Sequence, residues 1–600
     1  MTNPLPHRSE IDPKHTWNAE SVYPNIQAWE KELDSILGEL DALAKYQGKI
    51  DQSPILLAEA LEKRDSLLQR SDIALMFANM NHEVDKTTPE TAKMPGRAQG
   101  VYSQVLAAAA FIEPGLIDIS QETVQSWLDS EDRLAIYAHY FEDLFRKHAH
   151  IRSVEVEELL GILNDPFSST GNTAGILVDG EFKYEPAVSS NGALVEFNSG
   201  SLTKIYASPD RELRRSAYIN YTDTFLAFQN TLASNLITSI KQNVFLSNAR
   251  RHTSTLKASL YEHNIPIEVF HNLIKTFQTN LPTWHRYFSV KKKALGVEKL
   301  EPYDMWAPLT QKNWQIPYEQ AIEWICQGLE PMGAEYVGTI RKGSLEQRWV
   351  DIYPNQGKTA GAFSYGSKGT YPFIVMSYSG ELINLSTLAH ELGHSMHSFL
   401  TWETQPQIYS DYSLFIAEVA SNFQQAMVRS YLFDINQERE FQIALIEEAM
   451  SNFYRYFLIM PTLARFELDI HQRAEQGESL GADVMNECMV SLFEEAYGGQ
   501  VNIDRQRVGI TWATFGHLYE DYYVYQYATG ISGAHALAKR IIEKEPNAVR
   551  DYLTFLKSGS SLYPLDALKI AGVDLTSPAP VEATFAVLAD LVDRLETLLS

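Results

Sequence analysis

Residues 385–399 read LSTLAHELGHSMHSF, and they carry the strongest single pattern in the chain. Apolar residues recur in this stretch at spacings of three and four, which is the period of an amphipathic helix. They are Leu385, Leu388, Leu392, Met396 and Phe399. The pattern predicts one helix with an apolar stripe, and another face of that helix carries His390, His394 and His397.

The first two of these histidines belong to a short motif of the form H-E-x-x-H, residues 390–394. Histidines four positions apart lie one helical turn apart, which is close enough for both imidazoles to bind one Zn²⁺. Glu391 stands beside the first histidine, where its carboxylate can reach a water bound to that metal. The alternative interpretation is an ordinary helix whose histidines are packed or solvated.

A catalytic zinc site needs three protein ligands and one open position, so a third ligand must lie elsewhere. The metzincin pattern is excluded, because it requires Gly and His where this chain has His397 and Leu400. In the other common arrangement a glutamate follows on the next helix, and Glu418 is the only glutamate between residues 404 and 437. Residues 414–421 are mostly apolar, and a metal would be the partner that a buried carboxylate needs. A surface glutamate is the alternative.

Taken together, these motifs resemble oligoendopeptidase F, a family in the thimet-oligopeptidase superfamily of zinc peptidases. The hallmark of that superfamily is H-E-L-G-H-x-x-H followed by a helix that carries a glutamate, and residues 390–397 fit it throughout. Residues 17–29, 361–380 and 556–578 are also similar to the family, so the likeness covers nearly the whole chain.

The resemblance implies a mainly α fold with a zincin-like gluzincin catalytic domain, a small β-sheet and an enclosing N-terminal helical region. It implies that His390, His394 and Glu418 bind one Zn²⁺ per chain and that Glu391 is the general base. A fourth protein ligand would close the site to water, so His397 is expected either to contact the ligands without binding the metal or to be a structural residue.

A second chemical segment, residues 515–527, reads FGHLYEDYYVYQY. Peptide hydrolysis creates a negatively charged oxygen, and a histidine and phenols can donate hydrogen bonds to it. In the superfamily a His and a Tyr from such a segment do so, and by resemblance they map onto His517 and Tyr525. Tyr519 is a further candidate, because the spacing after the histidine is shorter here. An aromatic core helix is the alternative interpretation.

The period of apolar residues places these motifs in a mainly helical chain. Residues 1–205 are predicted to form an N-terminal helical domain with a small β element near its end, and residues 206–600 a catalytic domain. Strand patterns return between 340 and 380, where residues 361–365 resemble an edge strand that could pair with a substrate backbone. After residue 382 the pattern is helical, with breaks expected at 498–499, 530–533 and 558–564.

Charge and composition exclude several classes of partner. The chain has 50 Lys and Arg residues and 76 Asp and Glu residues, which gives a net charge of −26. Such a charge repels nucleic acids and anionic membrane surfaces. The longest apolar stretch, residues 105–112, is too short to span a bilayer. No signal peptide is visible, and the chain has two cysteines, so a cytoplasmic location is predicted.

The function that combines these patterns is a zinc endopeptidase acting on short oligopeptides. One rival is a zinc carboxypeptidase or dipeptidyl peptidase with the same ligand pattern. A second rival is a helical peptide-binding protein without turnover. The residues leave side-chain preference, physiological peptides and oligomeric state open.

Overall fold

The computed structural model describes residues 5–600, apart from the side chains of Val154 and Glu158, and it confirms a mainly α fold with small β elements. The helices of the first half are α1 (Ile26–Gly38), α2 (Leu40–Ala44), α3 (Pro54–Val84), α4 (Met94–Ala109), α5 (Ile112–Ile117), α6 (Gln121–Ser130), α7 (Ala138–His148), α8 (Val154–Gly175), α9 (Ser199–Tyr206), α10 (Arg211–Ala227), α11 (Gln229–Ala249), α12 (Thr255–Glu262) and α13 (Ile267–Leu295).

The helices of the second half are α14 (Tyr318–Gly328), α15 (Ala334–Leu345), α16 (Leu382–Thr404), α17 (Leu414–Ile435), α18 (Arg439–Tyr454), α19 (Met460–Glu475), α20 (Ala482–Tyr497), α21 (Arg505–Gly509), α22 (Tyr525–Ile542), α23 (Ala548–Leu556), α24 (Pro564–Ile570) and α25 (Ala579–Leu599). The strands are β1 (Ala187–Val188), β2 (Leu194–Val195), β3 (Val350–Asp351), β4 (Phe363–Tyr365) and β5 (Phe373–Val375).

The chain forms two compact units, each assembled from three segments. Unit 1 contains the described part of Met1–Ala149, together with Trp314–Val428 and Arg540–Gly572. Unit 2 contains His150–Asn313, Arg429–Lys539 and Val573–Ser600. The predicted boundary at residue 205 lies inside unit 2, so it does not separate these units. The period of a sequence reports local structure, and it carries no information on which distant segments pack together.

Unit 1 joins the N-terminal helices to a three-stranded sheet of order β3-β5-β4. Strand β5 is parallel to β3 and antiparallel to β4, with Ser364 opposite Ile374. The ring of Trp17 lies 4.9 Å from that of Phe373 on β5 and 5.9 Å from that of Phe77 on α3, measured between centroids. Full burial of such a side chain contributes about 1.5 to 3 kcal/mol, so this shared core ties the N-terminal segment to the sheet.

Helix α16 follows the sheet and carries the H-E-x-x-H motif. Asn384 Oδ1 accepts the backbone N–H of Glu381, which satisfies one of the free donors at the start of the helix. The predicted apolar stripe is confirmed at Leu385, Leu388, Leu392 and Met396, which are fully buried, whereas Phe399 is half-buried. Burial of that stripe fixes the rotation of α16 and therefore the direction of its histidines.

Unit 2 is helical around one small hairpin. Strands β1 and β2 pair antiparallel across a turn that contains Gly192, which confirms the β element predicted before residue 205. The predicted break at residues 530–533 is wrong, because α22 continues through Gly530 and Gly533. Both glycines are buried, so their lack of a side chain serves helix packing rather than a turn.

One helical stretch of unit 1, Thr91–Ile117, is long and apolar enough by composition to cross a membrane. It is not one continuous α-helix, because α4 ends at Ala109 and α5 begins at Ile112. The inner face of α4 belongs to the same buried apolar cluster as α3, through Met94, Ala98, Val101 and Val105. Core helices of water-exposed domains have this composition as well, so the stretch is weak evidence for a membrane span.

Candidate active site

Helices α16 and α17 bring the three predicted metal ligands of unit 1 together. His390 Nε2 lies 3.2 Å from His394 Nε2 and 3.5 Å from Glu418 Oε2. The donor atoms of all three residues lie within 4.8 Å of one another, and all three side chains are partly buried. Glu418, which was predicted from its spacing, therefore lies close to both histidines.

These separations fit a tetrahedral zinc ion. Bonds of about 2.0 to 2.1 Å at the tetrahedral angle place neighbouring ligand atoms about 3.3 Å apart. The separations of His390 from His394 and from Glu418, 3.2 and 3.5 Å, lie on either side of that value. Two imidazoles and one carboxylate are also a typical donor set for a catalytic zinc, with a fourth position left for water.

The close approach of α16 and α17 depends on Gly393. A Cβ at this position would lie 2.5 Å from the carbonyl oxygen of Ala420 and 2.6 Å from Cα of Ser421, which is closer than any side chain tolerates. Glycine therefore lets the two backbones touch two residues beyond Glu418. The glycine of the H-E-L-G-H sequence therefore has a packing role between the two helices.

The orientation of His390 is set by a residue that the sequence analysis missed. Gln425 Oε1 lies 3.1 Å from His390 Nδ1, and Gln425 Nε2 donates to Ser386 Oγ over 2.9 Å. Because the amide N–H is engaged with Ser386, the amide oxygen faces the ring and accepts the Nδ1 proton. The lone pair of Nε2 is then free for a metal. Gln425 lies two helical turns after Glu418, and that spacing is the signal that could have identified it.

The surroundings also set the charge state of His394 and Glu418. Burial lowers the pKa of His394 to about 4, so the ring is neutral at neutral pH, the form that binds metals. Burial alone would raise the pKa of Glu418, but the nearby His390 ring and a hydrogen bond from Ser421 bring it below its usual range. Glu418 is therefore favoured as an anionic carboxylate close to the neutral ring of His394, a donor set that could hold a metal ion.

Glu391 is buried next to the ligand cluster without belonging to it. It is 6% exposed, and burial raises the pKa of its carboxyl to about 7. The His390 ring and the backbone amide of Ser364 on β4 oppose that rise, while the negative charge of Glu418 adds to it. A carboxyl with a pKa near neutrality can both accept and release a proton at physiological pH.

His397 lies in a packed environment, which fits the structural one of its two predicted roles. It is fully buried and stacks on Tyr412, with ring centroids 3.7 Å apart. Neither ring nitrogen has a hydrogen-bond partner within residues 5–600, and burial lowers the pKa of the ring to about 3. The neutral ring therefore acts as a packing element at the C-terminal half of α16.

The second chemical segment lies in unit 2, where His517 stands in a short turn, Gly516–Tyr519. Its ring centroid lies 5.9 Å from each of the rings of Tyr523 and Tyr527, whose hydroxyl groups are 2.9 Å apart. All three side chains are partly exposed. Burial and the nearby Arg455 lower the pKa of His517, which favours the neutral ring.

The structure does not bring Tyr525 or Tyr519 into this ring cluster. Tyr525 is 1% exposed and packs edge-on against Phe270, with ring centroids 5.3 Å apart. The hydroxyl of Tyr519 accepts a hydrogen bond from Asn235 Nδ2 over 3.0 Å. Tyr523 and Tyr527 share one side because their hydroxyl groups meet, whereas Tyr525 packs against Phe270.

Comparisons with known proteins agree with this fold. Residues 205–587 match the model of peptidase family M3, and residues 116–184 match the model described as oligopeptidase F. Oligopeptidase PepF of Bacillus subtilis is 34% identical over 598 residues, covering 100% of this chain and 89% of the relative.

Two solved structures are similar over almost the entire chain. A Chlamydophila abortus protein described as a peptidase has a TM-score of 0.89 at 30% identity, covering 99% of this chain and 100% of its own. The oligoendopeptidase F of Enterococcus faecium has a TM-score of 0.75 at 27% identity, covering 95% and 99%. The fold and the matched family models define a peptidase. The chain belongs to peptidase family M3, in its oligopeptidase F group.

Proposed function

We propose that this peptidase is a zinc-dependent endopeptidase that hydrolyses internal bonds of short oligopeptides. The observation that carries the proposal is the convergence of His390, His394 and Glu418 at the spacing of zinc ligands, with Glu391 buried beside them. One Zn²⁺ per chain would be held by these three residues. When bound, zinc polarises a carbonyl group and lowers the pKa of a water molecule.

Glu391 is the residue that moves the proton. Its carboxylate takes a proton from the attacking water and passes it to the nitrogen of the leaving amine. The pKa of about 7 that burial gives the metal-free side chain is suited to both transfers. Gln425 acts indirectly, because it holds His390 in the tautomer that presents Nε2.

Strand β4 is the proposed binding strand for the substrate backbone. It lies at the edge of its sheet, with β5 on one side. Ser364 Oγ and Ser395 Oγ are 2.8 Å apart, which ties the strand to the same helix that carries His390 and His394. Pairing with a strand edge uses backbone hydrogen bonds, and it therefore tolerates many peptide sequences.

His517 and one tyrosine are proposed to stabilise the negatively charged oxygen of the transition state. The family resemblance assigned the tyrosine role to Tyr525, whereas the partly exposed cluster of His517, Tyr523 and Tyr527 favours Tyr527. A phenol in the packed interior, such as that of Tyr525, is poorly placed to receive a new partner.

Tyr527→Phe is expected to lower kcat by about 10² to 10³-fold with a small change in KM, the usual effect of removing one oxyanion donor. The substitution removes the hydroxyl and keeps the ring that stacks on Tyr456. Tyr525→Phe is the matched comparison, and it is expected to stay within about threefold of the wild type. Steady-state kinetics on one quenched peptide measures both. Loss of kcat in Tyr525→Phe alone would restore the assignment made from the sequence.

The restriction to oligopeptides is supported by what the relatives are called: one is an oligopeptidase and another an oligoendopeptidase. A zinc exopeptidase with the same ligands is the competing function. An exopeptidase needs a free chain end, and an endopeptidase does not. The cytoplasmic location stays a prediction from the sequence.

A peptide of about ten residues, acetylated at its N-terminus and amidated at its C-terminus, separates these functions. We expect internal cleavage of this peptide, with two products identified by mass spectrometry, and loss of cleavage after treatment with a zinc chelator. The same peptide with free ends is the control. Cleavage of the free peptide alone, one residue or dipeptide at a time, would identify an exopeptidase.

A further inference from the structure

Two titratable residues of helix α19 hold the segment that carries His517, and neither has a role in the chemistry described above. Glu467 and His471 are four positions apart, so both lie on one face of α19. Glu467 is 3% exposed and His471 is 1% exposed. That face contacts Asp521 and Tyr522, which lie between His517 and Tyr527.

Glu467 binds the backbone of the segment directly. Its Oε1 accepts the N–H of Tyr522 over 2.7 Å, and its Oε2 is buried without a hydrogen-bond partner in the described part of the chain. Burial raises the pKa of this carboxyl to about 8, with Asp521 adding to the rise and His471 opposing it. At neutral pH the side chain is therefore a neutral acid, which glutamine mimics in shape.

Tyr522 is the position where such a contact matters most. Its φ angle is +49°, in the left-handed region that a bulky residue rarely adopts, and the residue is 1% exposed. Its hydroxyl lies 3.2 Å from Thr255 Oγ1, which in turn donates to Glu475 at the end of α19. A tyrosine with this backbone conformation persists only where its surroundings stabilise it, and Glu467 does so by accepting its N–H.

His471 anchors the preceding residue. Its Nδ1 lies 2.9 Å from the carbonyl oxygen of Glu467, and its Nε2 lies 3.4 Å from Asp521 Oδ1. Asn243 on α11 also donates to Asp521 Oδ1, over 3.2 Å. Burial alone would lower the pKa of His471, but the hydrogen bond to Asp521, the negative charge of Asp521 and the hydrogen bond to the carbonyl oxygen of Glu467 raise it above its ordinary value. The pairing with Asp521 therefore favours the cationic form of the His471 ring.

We propose that Glu467 and His471 are positioning residues, which fix residues 521–522 so that His517 and Tyr527 are held in one arrangement for catalysis. The catalytic part of this inference rests on the proposed function. The contacts with residues 521–522 do not, since they are internal to unit 2. Loosening Tyr522 would free both ends of the short connection between the turn of His517 and the start of α22.

The test uses three substitutions of Glu467 in the full-length protein. Glu467→Ala removes the acceptor, Glu467→Asp keeps an acid that is too short to reach the Tyr522 N–H, and Glu467→Gln keeps the acceptor. Asp469→Asn is the matched control, because Asp469 lies on the same helix but forms a partly exposed pair with Arg473. Hydrogen exchange of the peptide covering 515–527 is measured beside kcat and KM on the doubly blocked peptide.

We expect Glu467→Ala and Glu467→Asp to accelerate exchange in residues 518–527 by about tenfold, the usual scale for a lost buried hydrogen bond. We expect kcat to fall about tenfold or more while KM stays within about twofold. Glu467→Gln should restore both readouts to within about threefold of the wild type, and Asp469→Asn should change neither. If Glu467 only stabilised the fold, we would not expect kcat alone to fall in Glu467→Ala and Glu467→Asp and to recover in Glu467→Gln.

Unchanged exchange in the segment for both Glu467→Ala and Glu467→Asp would overturn the proposal, as would Glu467→Gln behaving like Glu467→Ala. Faster exchange with wild-type kcat would equally overturn it, because the segment would then be held without consequence for the reaction. If the proposed function itself is wrong, the result differs, because the wild type would then not cleave the blocked peptide. If Glu467→Ala does not fold, the comparison of Glu467→Asp with Glu467→Gln decides.

Discussion

Glu391→Gln is expected to lower kcat by about 10² to 10⁴-fold while the protein binds zinc as the wild type does. The amide has nearly the same shape as the acid but cannot accept the proton of the attacking water. Since Glu391 is not among the three residues of the ligand cluster, metal affinity should not change. Single-turnover kinetics on a quenched peptide and metal analysis of the same sample measure the two quantities together.

Glu403→Gln is the matched control for this experiment, because Glu403 lies on the same helix and is exposed. It should retain wild-type kcat and zinc content. Wild-type kcat in Glu391→Gln would remove Glu391 from the role of general base. Loss of zinc in that variant would show that Glu391 is a metal ligand.

Glu418→Ala is expected to lose both metal and activity. It removes one of three ligand atoms and leaves His390 and His394, which lie on a single helix and cannot complete a tetrahedral site. Removing a residue that only orients a ligand costs about 10 to 100-fold in metal affinity, so we expect a larger loss here. Competition with a chromogenic zinc chelator measures the affinity.

Gln425→Ala provides the graded comparison. It keeps all three ligands and removes the acceptor that orients His390, so its zinc affinity should fall by about 10 to 100-fold. If Glu418→Ala keeps stoichiometric, tightly held zinc, the third ligand is a different residue. If Gln425→Ala and Glu418→Ala lower the zinc affinity equally, the assignment of Glu418 as a ligand and of Gln425 as an orienting residue is wrong.

The core of the site could be predicted from the sequence because it depends on local spacing. Two histidines in H-E-x-x-H face the same way on any helix, and the apolar stripe fixes which way that is. Glu418 could be found because no other glutamate occurs between residues 404 and 437. Each of these inferences requires only that a helix forms.

Other features depend on where a helix begins or on contacts between distant segments. The alternation Tyr523, Tyr525, Tyr527 gives no indication of which ring is buried until the start of α22 and its contact with Phe270 are known. The hydrogen bond from Tyr522 to Glu467 joins residues 55 positions apart. The grouping of the chain into two units is equally non-local, since each unit collects three separate segments.

We propose that one zinc ion sits among His390, His394 and Glu418. X-ray diffraction from crystals of the full-length protein at the zinc absorption edge tests it most directly. We predict one strong anomalous peak at about 2.0 to 2.2 Å from Nε2 of each histidine and from a carboxylate oxygen of Glu418. A zinc-loaded crystal with its anomalous peak elsewhere in the chain, and none at these three residues, would contradict the account.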